Sequence, residues 1–311
     1  MKASNPLISI VVPTYDHGHF LEAALRSIQL QTYSHWEVFV VNNFSHDDTI
    51  EVVERFRDAR MRLVNFSNNG VIAASRNEGI RLAQGDHVAF LDADDLWKGS
   101  KLEKCVEKLN SGCQLVCHGT VWRWEDGKTR DVLHGPEENA SYESLLYRGN
   151  RLATSATVIR REILEKVGGF STNPKFITAE DYELWLRIAK ANYRFCFIPE
   201  TLGEYRIHKG NAGRVGRVKD ATLAVLEHHF GLESGRDGRR YPKRQKRRAE
   251  VISSNAWELR NAHHYSESIR EFGQALRKWP LSWRTYVAGS LTIAEWAVGS
   301  LIKRPSRGTV K

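Results

Sequence analysis

His87-Val88-Ala89-Phe90-Leu91-Asp92-Ala93-Asp94-Asp95 is an apolar run that breaks off into three carboxylates within four positions. The run reads as a strand, so Asp92, Asp94 and Asp95 stand at its carboxyl end. Unpaired, they repel one another. A hard divalent cation, Mn2+ or Mg2+, relieves that repulsion and accepts oxygen ligands. It can also bridge the two phosphates of a nucleoside diphosphate and hold the charge of a leaving group. The competing reading is an acidic turn that caps the helix beginning at Ser100-Lys101-Leu102.

The flanking sequence favours chemistry. Upstream, short β-branched runs alternate with amphipathic stretches. Strands are expected over residues 7–12, 36–41, 62–65 and 87–91, and helices over 19–30, 49–56 and 73–82. Asp47 or Asp48 would cap the second helix, and Gly85 would stop the third. Such alternation makes βαβ units and a mainly parallel sheet covered by helices. Ligands of these sheets sit beyond the carboxyl ends of the strands. Four loops therefore converge: residues 13–18, 42–48, 67–72 and 92–97.

Residues 114–208 are less regular and read as the same domain carrying mixed or antiparallel strands (114–118, 156–159, 193–198) and two helices (141–147, 179–191). Residues 1–215 are expected to be one domain and 216–311 a helical extension. Within the extension, residues 234–250 are rich in Arg and Lys and read as an exposed basic linker or helix start. Ala256, Tyr265, Ala275 and Pro280 resemble a single tetratricopeptide unit, an architecture that needs several repeats.

Smaller signals accompany the acidic loop. Glu180-Asp181 opens a helix with Leu184, Trp185 and Ile188 on its apolar face. Carboxylates there are usually caps favoured by the dipole, and the functional alternative is a general base. Gly70 permits close approach of backbone to ligand, and Arg76 can meet phosphate. By spacing alone His208 reads as a surface histidine. Trp122 and Trp124 alternate on a strand and read as core in preference to a sugar-stacking face. Of Cys105, Cys113, Cys117 and Cys196, none completes a zinc pattern, and all four read as buried free thiols in a reducing compartment.

The order of the motifs adds more than any one of them. Val12-Pro13-Thr14-Tyr15 is followed by Val41-Asn42-Asn43-Phe44-Ser45-His46-Asp47-Asp48-Thr49, then Ala74-Ser75-Arg76-Asn77-Glu78-Gly79, then Leu91-Asp92-Ala93-Asp94-Asp95-Leu96-Trp97. Val167-Gly168-Gly169-Phe170, Glu180-Asp181-Tyr182-Glu183-Leu184-Trp185 and Tyr205-Arg206-Ile207-His208 complete the series. It resembles the family 2 glycosyltransferases across residues 7–211. The resemblance implies the GT-A fold, a Rossmann-like mixed α/β sheet flanked by helices, and inverting transfer of a sugar from a nucleotide-diphosphate donor to an acceptor hydroxyl. Pro13, Thr14 and Tyr15 would line the nucleotide pocket, and Arg76 would lie near the nucleotide or its phosphates. Asp94 and Asp95, with Asp92 nearby, would bind the metal and donor diphosphate, with His208 reaching the metal from the far side. Asp181 of the Glu180-Asp181 pair would be the catalytic base. One departure stands at Asn43, where the family usually has a carboxylate to hold the base. An amide both donates and accepts, whereas a carboxylate only accepts.

The chain of 311 residues carries a net charge of +9, which favours anionic partners without choosing among them. No nucleic-acid motif accompanies the basic segment. A nucleotidyltransferase would need a glycine-rich basic loop after the first strand, and Pro13-Thr14-Tyr15-Asp16-His17 is neither. The alternative is a non-catalytic nucleotide-sugar or carbohydrate-binding relative. No signal peptide or membrane span is expected, which points to the cytoplasm. The apolar stretch 279–302, broken by Arg284 and Glu295 and flanked by Lys303 and Arg304, can lie in the interface of an anionic membrane, peripheral on its inner face. A glycan or lipid-linked acceptor fits that placement.

Overall fold

The computed structural model describes residues 5–208, 210, 216–233 and 240–302, in two compact units, residues 1–213 and 214–311. In the first, β1 (Ile8–Thr14), β2 (Trp36–Asn42), β3 (Met61–Asn65) and β4 (His87–Phe90) pair in parallel in the order β3-β2-β1-β4. Every residue of β1, β2 and β4 is buried. Both faces of the sheet are covered there, which is why these strands read as mainly apolar runs without a regular alternation. Gly85 is needed for close approach: a Cβ there would fall 2.4 Å from the Leu7 carbonyl oxygen. The preceding helix, residues 72–82, ends before it with Ala83 as the C-cap.

The sheet continues through antiparallel β8 (Thr157–Arg160) to β6 (Leu115–Trp124), β9 (Phe195–Ile207) and the short β5 (Leu96–Trp97), with β7 (Thr129–Val132) on β6. One face is packed by α1 (Gly18–Gln29), α2 (Thr49–Arg55) and α4 (Lys101–Asn110). Leu21, Leu25, Val52, Leu102 and Val106 join Ile10, Val12, Leu91 and Val116 there. α3 (Ile72–Leu82), α6 (Arg161–Val167) and α7 (Glu180–Lys190) pack the other face. There the Phe170 ring stands 5.1 Å from Phe90 and 6.4 Å from Trp185. α5 (Tyr142–Arg148) is held to α7 by the Tyr182 hydroxyl, which donates to the Leu145 carbonyl at 2.7 Å.

One competing reading is removed and two expectations are corrected. The acidic turn does not cap α4: β5 intervenes, pairing Leu96 with Glu204 of β9, and Ser100 stands at the N-cap. Trp122 and Trp124 are half-buried, not core; they lie where β6 runs on past Cys117, its last pairing with β8, with Trp122 stacked 5.8 Å from Tyr205. Cys113 and Cys196 are joined as a disulfide, because β9 pairs with β6 and brings together residues 83 apart in sequence. Cys105 and Cys117 remain buried thiols, pushed by burial up to about 11 and about 12. In denaturant without reductant a thiol reagent should count two cysteines, and four after reduction; four at the outset would rule the bridge out.

The second unit consists of α8 (Arg217–Leu232), α9 (Arg240–Asn261), α10 (Tyr265–Lys278) and α11 (Trp283–Ile302). Ala256, Phe272 and Ala288 form the contact between α9, α10 and α11. From Arg240 onward the basic segment is helix and not linker. Its Arg244 and Arg248 pair with Glu233 and Glu227 at 3.0 and 2.6 Å, while residues 234–239 lie outside the described residues, as do Lys303 and Arg304. Among the described residues no helix is long and apolar enough to cross a membrane.

Candidate active site

The loops after β1, β2 and β3 are clipped to one another. Asn43 N donates to the Thr14 carbonyl at 3.0 Å, and Asp16 N to Ser45 Oγ at 2.9 Å. His46 N returns a bond to Asp16 Oδ1 at 2.7 Å. Asn42 is buried and ties β2 to β3, its Nδ2 donating to Asn65 Oδ1 at 2.8 Å. Asn43 accepts from Asn68 N through Oδ1 at 2.9 Å. That bond uses a carbonyl lone pair and leaves the amide donor of Asn43 uncommitted to it. Tyr15 and Phe44 are about half exposed on these loops, at 48% and 56%. Pro13 is buried, and the buried Thr14 hydroxyl has no partner among the described residues. Gly70 matters for its backbone: φ is +77°, and its N–H donates to Asn68 Oδ1 at 2.8 Å.

The acidic residues divide their work. Asp92 binds Arg76 at 2.8 Å, and the same guanidinium binds Glu180 at 2.7 Å through its other terminal nitrogen. Arg76 is 4% exposed, and the two carboxylates hold it firmly charged against its burial. Glu180 also accepts from Thr178 N at 2.8 Å. Asp95 is buried, accepting from Arg206 N at 3.3 Å and from the Ser155 hydroxyl. Burial, with Asp94 and Asp92 adding, pushes its carboxyl well above the usual range. Asp94 meets His208, Oδ2 to Nε2 at 3.1 Å. The His208 ring stacks 4.7 Å from Phe20 of α1 and is mostly buried, so it is not a surface histidine.

Asp181 is half-buried at the start of α7. Its Oδ2 accepts from Thr154 Oγ1 at 3.1 Å and its Oδ1 from Tyr182 N at 2.6 Å. Burial, and then the neighbouring Glu180, push this carboxyl up to about 6, with Arg76 opposing. Thr154 and Ser155 belong to one 3₁₀ turn, Thr154–Ala156. Thr154 holds Asp181, while Ser155 Oγ accepts from Asp92 N at 3.1 Å. Two adjacent residues thus link the Asp181 carboxylate to the acidic loop. Neither carries a motif signal: their placement comes from β8 entering the sheet between β4 and β6.

Among the described residues no three His, Cys, Asp or Glu side chains converge as metal ligands. Asp94 and His208 alone are in contact, since Asp92 and Asp95 are turned to Arg76 and to Arg206 N. An oxygen and an imidazole nitrogen suit Mn2+ better than Mg2+, which prefers oxygen alone; both commonly take their remaining ligands from substrate phosphates and water. The pair fits such an ion as a partial set.

A family model for glycosyl transferase family 2 matches residues 9–168, half of the chain. The chain belongs to glycosyl transferase family 2. This glycosyltransferase is 31% identical over 206 residues to a putative teichuronic acid biosynthesis glycosyltransferase, TuaG, of Bacillus subtilis (65% of this chain, 79% of that one). It is also 31% identical to the Escherichia coli UDP-Glc:alpha-D-GlcNAc-diphosphoundecaprenol beta-1,3-glucosyltransferase WfgD (60% of this chain, 71% of that one). Two solved structures share the GT-A fold. The mannosyltransferase PcManGT of Pyrobaculum calidifontis, in complex with GDP-Man and Mn2+, has a TM-score of 0.59 at 22% identity and covers 96% of this chain and 81% of its own. S. aureus TarS 1–349 in complex with UDP has a TM-score of 0.56 at 17% identity and covers 88% and 91%.

Proposed function

We propose that this glycosyltransferase inverts the anomeric carbon of a nucleotide-diphosphate sugar, with Asp181 as the base. The observation that carries the reading is the Thr154-Ser155 turn, which links one carboxylate to the acidic loop while the Asp94–His208 pair stands at that loop. The acceptor O–H loses its proton to Asp181 as its oxygen bonds to the anomeric carbon. The carbon–oxygen bond to the diphosphate breaks in line, and the nucleoside diphosphate leaves with the electron pair. Glu180, bound to Arg76 and Thr178 N, is assigned to positioning, and Arg76 holds Asp92 and Glu180 in place. Asp94 and His208 would hold Mn2+ or Mg2+, whose chemistry when bound is neutralisation of the departing diphosphate; Asp95, bonded to Arg206 N, is assigned to positioning the loop that carries Asp94. Pro13, Thr14, Tyr15 and Asn43 would border the nucleotide, with Asn43 offering an amide donor to the base.

The acceptor is proposed to be a glycan, lipid-linked in the manner of the WfgD substrate, in bacterial surface polysaccharide synthesis. A peripheral position on the cytoplasmic face of a membrane follows from such an acceptor. At that face the Cys113–Cys196 bridge is kept from reductant by its enclosure, both residues being 4% exposed.

A thermal-shift screen of nucleotide-diphosphate sugars with Mn2+ tests the assignment. One donor should raise the melting temperature, since a ligand at a hundredfold its Kd adds about 2.7 kcal/mol. The increment should shrink with EDTA and in His208→Ala. A family of donors that binds equally well with EDTA would remove the metal from the reading, and no binding by any donor would remove the donor site.

A further inference from the structure

We propose that α11 docks this protein on an anionic lipid surface, lying in the plane of the bilayer interface. The catalytic residues are not involved, since the surface belongs wholly to the second unit.

The helix is built the wrong way round for water. Its inward face is Thr285, Ala288 and Thr292, all buried, with Ala288 packed beside Phe272 of α10. Its outward face carries the large apolar side chains: Trp283 is 68% exposed, and Tyr286, Val287, Leu291, Ile293 and Trp296 are each about half exposed. At about 100° per residue, all of these but Trp296 fall in one arc of about 160° opposite the buried stripe. The only charged residues of the helix, Arg284 and Glu295, sit together at the edge of that arc, and Glu295 is tied to Arg260 of α9. An uncharged arc this wide on a soluble surface marks a docking site.

Charge decides the occupant. Residues 214–311 hold 20 Lys and Arg against 9 Asp and Glu, a net +11, while residues 1–213 are net −2. The whole positive excess of the chain therefore lies in the unit that bears the apolar arc. A second copy would bring +11 against +11, whereas an anionic bilayer satisfies both the charge and the apolar face. Trp and Tyr suit the headgroup boundary, where a ring and its polar tip are both accommodated. Since no helix among the described residues can cross a membrane, the mode is a helix in the interface.

The test is flotation of the full chain with vesicles of phosphatidylglycerol and phosphatidylcholine, and with phosphatidylcholine alone, at low and high salt. Binding is expected to the anionic vesicles, weakened by salt, with a blue shift of tryptophan emission. Trp283→Ser combined with Val287→Ser should lower the vesicle partition constant about tenfold or more, the loss of about 1.4 kcal/mol or more. Both side chains are at least half exposed, so the fold should persist, which circular dichroism and the donor thermal shift verify. Failure of the wild type to float, or unchanged flotation of the double variant, overturns the proposal. So does a dimer in solution that the same substitutions dissociate, because the arc would then be covered by a second copy. Donor binding is read separately, so loss of flotation leaves the catalytic assignment standing.

Discussion

Asp181→Asn should lower kcat by about 10²–10⁴-fold, the range a positioned general base supplies, and leave the donor Kd unchanged. The substitution keeps the shape of the side chain and an oxygen to accept from Tyr182 N, so geometry survives while proton acceptance is lost. The pH profile gives a second reading. Burial and Glu180 push the Asp181 carboxyl up to about 6. The ionised form is the base, so kcat/KM should fall as pH drops below about 6, by about tenfold per unit, and level off above it. In Asp181→Asn that limb should vanish from the residual rate. A variant that retains the wild-type rate, or keeps the same acidic limb, would assign the proton to another group.

Arg76→Met should destabilise the catalytic unit strongly. It leaves the Glu180 and Asp92 carboxylates without their shared cation, and Glu180 is almost wholly enclosed. Removing one partner of a buried ion pair costs about 3–5 kcal/mol. Asp92 keeps about a quarter of its side chain in solvent, at 27% exposed, which places the expectation near the lower end, about 3 kcal/mol. For a unit of this size that lowers the melting temperature by roughly 6–12 °C. Arg76→Lys should recover little, because a point charge cannot span two carboxylates as a planar fork does. Adding Glu180→Gln to Arg76→Met should return part of the loss, since it discharges the stranded carboxylate, and a double-mutant cycle measures how much. A stability within about 0.5 kcal/mol of wild type would mean that the bridge adds nothing.

Much of the fold could be read directly. Mainly apolar runs such as residues 7–12 and 87–91 announce strands covered on both faces, and residues 19–30 carry a helical period whose apolar stripe is buried. Local pattern suffices there because periodicity is itself a statement of which face meets the core. It was silent about β5, β7 and α6, which are short, and about the far end of β9, which pairs with β6. The bulge at His118–Thr120 interrupts the alternation there, and burial falls to one side.

The sequence alone determined the kinds of groups in this protein: a carboxylate cluster at a strand end, a second acidic pair opening a helix, a basic and apolar final third, and the order that marks the family. The tertiary structure decided which of them work together. It gave Asp94 to His208 across 114 residues, gave Arg76 to Asp92 and Glu180, and set Thr154 under Asp181. It also closed Cys113 onto Cys196 and turned the apolar side of α11 outward. The reason is that side-chain chemistry and periodicity are local properties, while contact between distant residues depends on strand order, and strand order leaves no trace in the spacing of residues along the chain.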